Sequence, residues 1–288
     1  MTGYLVLLVG LAVFYFWFHL KFEKNYRKIT SQFNKKDFQL VLMTPVFLYL
    51  IEKLKILERF HSRVSVIQQK IMILYGHKDA FLRTKMFVAH LFAIGYICLF
   101  GTTLFVLLAN GDKSIFLAGC FMSILIPIVM VKKLGDEVKK RQEAILTEIP
   151  EFVNKMILLI NAGETVHMAF IRSVYTKRDS DHPLYKELKE AAIKIENNEP
   201  FQLALSELSK RCAMQEVSIF TTTVLLNYRK GGQDLVLALQ ELSHDLWKRR
   251  KSISKTKGEE ASSKLVFPLV LIFIAVMCIV GWPALQMM

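Results

Sequence analysis

The sequence is short of acid, short of paired cysteines and empty of phosphate-binding or metal-binding signatures. Against 38 Lys and Arg there are 25 Asp and Glu, a formal charge of +13. That excess points to nucleic acid or to the cytoplasmic side of a membrane, and the position of the charge decides between them. The four cysteines show no CxxC spacing, which leaves neither a disulfide framework nor a thiolate metal site. Cys98, Cys120 and Cys278 fall in apolar stretches and Cys212 stands alone. There is no GxxxxGK[ST], and Gly231-Gly232 is too short to cradle a phosphate, so it reads as a turn between helices. His19, His61, His77, His90, His167, His182 and His244 form no HExxH or HxxxH. Glu259-Glu260 and Asp136-Glu137 neighbour lysines and read as solvated ion pairs rather than acid–base machinery. No catalytic, cofactor-binding or metal site is expected, and no convincing strand alternation appears.

What the sequence has in quantity is apolar length. Hydrophobic residues make up 53% and mean hydropathy is +0.33, an unusual partner for so much positive charge. Crossing about 30 Å of hydrocarbon takes about 20 helical residues. Residues 4–20, 86–109, 115–131 and 265–285 meet or approach that length, and 86–109 contains no charged side chain. The first segment has its basic cluster, Lys21, Lys24, Arg27 and Lys28, on the downstream side. That order predicts an uncleaved anchor rather than a secretion signal. Arg83 and Lys85 precede the second segment, Lys132 and Lys133 follow the third, and Lys264 precedes the fourth. With both termini outside, Lys113 is the only one of 38 basic residues placed outside the cytoplasm. Four crossings satisfy the rule that basic loops stay inside, and nucleic acid is not an expected partner.

Two cytoplasmic regions result, residues 21–85 and 132–264. Within the first, Asp37 to Gln69 reads as helical, with Phe47, Leu50, Ile51, Leu54, Leu57 and Ile67 at roughly 3.6-residue spacing. Its apolar start, DFQLVLMTPVFLYLI, is interrupted by Pro45 and reads as core or interfacial helix rather than a fifth span. In the second region Ile145, Ile149, Phe152, Val153, Met156 and Ile160 form one stripe, with Pro150 restarting or bending the helix. Helices are expected over 184–197, 201–212, 217–228 and 235 to about 257. The fold class is all-α: about four membrane helices with a cytoplasmic antiparallel bundle.

Three stretches of the bundle share a pattern. GETVHMAF (163–170), NEPFQLAL (198–205) and GQDLVLAL (232–239) each read turn residue, x, x, apolar, x, x, Ala, apolar. The turn residues fit helix caps, which places Gly163 and Gly232 in left-handed conformations. The small Ala169, Ala204 and Ala238 let helices approach closely.

Together with Glu148-Ile149-Pro150, the Ala162-Gly163 turn, Pro200, the Gly231-Gly232 turn, the basic Trp247-Lys-Arg-Arg250 and Pro268 leading into a terminal span, this arrangement resembles a known superfamily. It is the type II secretion system F-domain superfamily, and most closely the inner-membrane platform proteins of tight-adherence (Tad) pili. The resemblance covers about 147–284. No second copy of the repeat pattern is found toward the N-terminus, unlike the branch with two F domains. The resemblance implies a multi-pass protein of the bacterial inner (cytoplasmic) membrane that is not an enzyme. It also implies partners: a hexameric secretion ATPase, pilin subunits, and a second platform protein or another copy of the chain. Relatives serving a sporulation channel share the domain, and a polytopic membrane enzyme is the competing class, although no polar cluster for it is visible.

The strongest charge feature is 247–251 with Lys255 and Lys257. Consecutive cations surround a helix, but Lys248, Lys251 and Lys255 share one stripe. That stripe is the candidate partner-binding surface, for an acidic protein face or for anionic membrane lipids.

Overall fold

A computed structural model describes residues 2–31, 43–76, 79–109, 111–177, 180–228 and 232–286, and every regular element among them is an α-helix. In chain order these are α1 (Thr2–Ser31), α2 (Thr44–Lys53), α3 (Ile56–Arg59), α4 (His61–Tyr75), α5 (Ala80–Leu108) and α6 (Lys113–Asn161). They are followed by α7 (Val166–Tyr175), α8 (Pro183–Glu196), α9 (Phe201–Cys212), α10 (Gln215–Asn227) and α11 (Gly232–Gln286). The chain forms two compact units, Met1–Lys140 and Arg141–Met288, and the division falls inside α6.

In the first unit, α2 starts with Pro45 in its first turn, where a missing N–H costs nothing. At ten residues it extends only about 15 Å, half of what a crossing requires. Its Val46, Phe47, Leu48 and Ile51 are buried instead against Met86, Val88, Ala89 and Ala93 of α5, with Tyr15 and Phe18 of α1 packed alongside. The helix expected over 37–69 is therefore three helices where it is described, broken at Lys55 (φ 48°) and at Phe60. Residues 37–42 lie outside the described part. Small side chains bring α5 and α6 together: a Cβ on Gly119 would sit 2.2 Å from Thr102 Cγ2. The Ser123 hydroxyl donates to the Gly95 carbonyl at 2.8 Å, and the Tyr96 hydroxyl ties α5 to α1 through the Leu11 carbonyl at 2.6 Å.

Among the described residues, three stretches are long and apolar enough to cross a membrane, lying within Ala80–Leu108, Lys113–Asn161 and Gly232–Met277. The apolar part of α1, Thr2–Phe18, is shorter. The chain is an all-α membrane protein.

The second unit has one core. Ile145, Ile149, Phe152, Val153 and Met156 of α6 are essentially inaccessible, with Ile160 at 8%. Phe152 meets Phe170 of α7 and Phe220 of α10 edge to face, with centroids 5.6 and 5.7 Å apart. Such pairs add about 0.5–1.5 kcal/mol beyond area burial. Between α6 and α11, the Ser243 hydroxyl donates to Asn154 Oδ1 at 2.6 Å.

Two expectations about helix continuity are corrected. Pro150 does not restart the helix: α6 runs unbroken through it to Asn161. A proline inside a helix gives up one i→i−4 bond, and here the ring lies buried in the core stripe, where tertiary packing holds the helix. Likewise α11 runs as one helix of 55 residues from the bundle through Pro268 and Pro283, rather than as separate cytoplasmic and membrane helices.

Candidate functional site

Within the second unit, neighbouring helices α7 and α8, α8 and α9, α9 and α10, and α10 and α11 pack in succession. An antiparallel order sends the α6–α7, α8–α9 and α10–α11 connections to one end and the α7–α8 and α9–α10 connections to the other. Side-chain contacts bear this out. At the first end His167 of α7 lies 4.2 Å from the ring of Phe201 at the start of α9. Phe201 in turn lies 5.8 Å from Tyr228 at the end of α10, and a Cβ on Gly232 would be 3.7 Å from Ile160 Cγ2. The three repeated stretches therefore come together.

Their turns differ in kind. Gly163 has φ +91°; its N–H bonds the Ile160 carbonyl at 2.9 Å and that of Glu164 bonds Leu159 at 3.1 Å. Asn198, at φ 61°, repeats this with Ile195 and with Glu199 on Lys194 at 3.1 and 3.0 Å. Both are Schellman caps, satisfying carbonyls that the helix end leaves open. The next helix then starts three residues on, at Val166 capped by the Thr165 hydroxyl, and at Phe201 after Pro200. Gly232 is the exception. It is not left-handed but is the first residue of α11, because this helix begins three residues earlier in the repeat than the other two. Gly231 lies outside the described residues. Ala169 and Ala204 are buried at 0% and 1%, together with the closing apolar residues Phe170, Leu205 and Leu239. Ala238 is half-buried. Around this end Leu158, Met168, Leu203, Leu226 and Leu237 are each at least half exposed, with Leu158 at 68%.

The opposite end is held by charge. Glu187 of α8 pairs with Arg141 of α6 and Arg211 of α9, each at 2.6 Å. Arg211 also bonds Glu190, and Lys177 bridges Glu148 and Glu151 at 2.7 and 3.3 Å. The Glu148 contact holds the Lys177 ammonium above its usual range. At the start of α8, His182 Nδ1 accepts from the Leu184 N–H at 3.3 Å. Burial keeps this imidazole below its ordinary pKa despite the nearby Glu148 carboxylate. Cys212 is fully buried, and desolvation pushes its thiol up to about 12, which disfavours the reactive thiolate at neutral pH. No group of three or more His, Cys, Asp or Glu among the described residues is arranged to hold a metal ion.

The basic stretch on α11 is sorted by the bundle. Arg249 is drawn to Glu216 of α10 at 2.7 Å, Arg250 lies 4.7 Å over the Trp247 ring, and Lys257 reaches Glu143 of α6 at 2.9 Å. Lys248, Lys251 and Lys255 remain exposed on one face. Lys248 and Lys255 make pairs within the helix, with Asp245 at 3.6 Å and Glu259 at 3.8 Å. Such exposed pairs are worth a few tenths of a kcal/mol and give way readily to a partner. Pro268 is exposed further along the same helix.

Residues 152–283 match the family model described as Type II secretion system (T2SS), protein F. The match runs from Phe152 in the core of α6 through both ends of the bundle and into the apolar part of α11, and it supports an F-type domain of that superfamily. No curated protein and no solved structure matches the chain.

Proposed function

We propose that the protein is a multi-pass, non-catalytic platform of the bacterial inner membrane. In this reading its helical bundle receives a hexameric secretion ATPase and couples it to the insertion of pilin subunits into a filament of the Tad type. The observation that carries the reading is the single helix α11. It presents the exposed Lys248, Lys251 and Lys255 on one stretch and continues, unbroken, into an apolar segment long enough to cross a membrane. A partner bound on that stretch is joined to the bilayer by a continuous helix, without a flexible linker to absorb its movement. The F-type match over the same residues agrees with this.

The bilayer itself is a poor candidate for the far end of the stripe. At 1.5 Å per residue, Lys248 lies about 24 Å along the helix from Lys264, beyond the Debye length of about 8 Å at physiological salt. The exposed leucines at the turn end suit contact with a second platform protein or another copy of the chain. Deleting the gene in its host tests the reading. The ATPase is expected to leave the membrane fraction and filaments to disappear, both restored by the full chain. An ATPase that stays membrane-bound, with filaments still formed, would refute it.

A further inference from the structure

The first unit holds a feature that this function does not use. A cavity of about 170 Å³ opens among α4, α5 and α6. Its lining mixes apolar residues, Ile71, Phe87 and Leu134 among them, with the polar Tyr75, Arg83, His90, Lys133 and Glu137. The lining follows helical registers: Arg83 and Phe87 are one turn apart on α5, and Lys133 and Glu137 are one turn apart on α6.

Its depth is set by sequence. Arg83 stands three residues before the charge-free stretch 86–109, and Lys133 stands two residues after the apolar stretch 115–131. The cavity therefore sits where the apolar and charged parts of both helices meet. One turn before Lys133, toward the apolar stretch, Val129 of α6 is exposed, a surface suited to acyl chain. A further cation lies on the α4–α6 seam, where the absence of a side chain at Gly135 lets Lys70 lie flat. A Cβ there would be 3.0 Å from Lys70 Nζ.

We infer that this cavity is a binding site for one anionic phospholipid, its phosphate held between Arg83 and Lys133 and its chains running along α5 and α6. Basic pockets between membrane helices on the cytoplasmic side take such headgroups. The volume is below the roughly 300 Å³ that a drug-sized ligand fills, and suits a glycerophosphate portion whose tails stay outside. Glu137 opposes the anion, but the three cations around the seam outnumber it. The same phosphate chemistry could come from a soluble phosphate, and only a lipid uses the apolar surface beside the cavity.

Native mass spectrometry of the full chain, released from micelles doped with phosphatidylglycerol or phosphatidylcholine, reads the site directly. A one-to-one adduct favouring phosphatidylglycerol is expected. Each cation near the surface contributes about a five-fold gain in affinity. Arg83→Gln with Lys133→Gln should therefore weaken retention about thirty-fold. Lys133→Gln alone, at an exposed position that leaves folding intact, should weaken it about five-fold. Lys132→Gln removes the same charge one residue away and should change little. Inorganic phosphate at millimolar concentration should not displace the lipid. Equal retention of the two lipids would overturn the site, as would equal losses from Lys132→Gln and Lys133→Gln. Displacement by inorganic phosphate would replace the lipid with a soluble ligand.

Discussion

The two ends of the bundle solve the same problem, closing a stack of helices, by opposite means. One end is closed by backbone caps at Gly163 and Asn198 and by the rings of His167, Phe201 and Tyr228, with leucines left facing outward. The other is closed by Arg141, Glu187, Arg211, Lys177 and Glu148 pairing with one another. A charge already held at 2.6 Å by a partly buried partner has little to offer a newcomer. Exposed apolar side chains and the lysine stripe gain from being covered. The comparison teaches that the most conspicuous ion-pair network among the described residues is internal to the bundle, and that the surfaces proposed for partners lie where the internal bonds are weakest.

The comparison breaks first at Glu187, which serves two arginines. Replacing it with Ala leaves both cations with less than their native pairing, and the Arg141 side chain is only 13% exposed. A loss of about 2–3 kcal/mol is expected, near the lower range for breaking a buried pair. It is to be read as a fall in the denaturation midpoint of the purified protein. A loss below half of that would mean that the network is ornamental.

The turn end is sharpened by two glycines. Gly163→Val forces a β-branched residue into the left-handed region, at a cost of about 1–2 kcal/mol. Gly232→Val, in a helical first turn with only ordinary contact to Ile160, should stay within about 0.5 kcal/mol. Equal costs for the two would contradict the difference in their conformations.

A smaller effect separates the ends by pH. His182 has a depressed pKa when folded, so its contribution is complete above the unfolded value of 6.5 and is lost as pH falls through the folded one. Protonation also removes the Nδ1 acceptor that caps α8. Stability should therefore drop between pH 7.5 and 5 by an amount typical of a lost N-cap, about 1 kcal/mol. His182→Asn should flatten that part of the profile. An unchanged slope in the variant would assign the titration elsewhere.

The smallest stability effect is expected at the leucines. Leu226→Ser with Leu237→Ser should leave the melting midpoint nearly unmoved, within about 0.5 kcal/mol for exposed positions, while filament yield in cells falls. A large loss of stability with normal filaments would make these residues core rather than interface.

The stripe from Ile145 to Ile160 was legible because periodicity reports burial directly, and helix α9 begins and ends at Phe201 and Cys212 as its pattern indicates. Long apolar runs were legible for the same reason. The ion pairs were not: Arg141 and Glu187 are 46 residues apart, and no spacing rule links them. His167 read as a scattered histidine, since its role comes from Phe201 and Tyr228 on other helices. Its place inside the repeated pattern was the one available signal. Pro150 misled for a specific reason: propensity treats it as a breaker, and its burial in the core stripe of α6 overrides that. Gly232 shared a pattern with Gly163 but not its conformation, because a local motif does not fix where the following helix begins.

The central claim rests on the lysine face of α11. Lys248→Glu with Lys251→Glu, in the full chain, leaves Lys264 to mark the inside and changes no core contact. Co-purification of the secretion ATPase with the membrane-extracted protein, at low and at moderate salt, measures the claim directly. The account predicts that the wild-type chain retains the ATPase, more strongly at low salt, and that the charge-reversed chain loses most of it at both. Undiminished recovery at both salts, with the variant stably inserted, would contradict it and reduce the stripe to a solvated face.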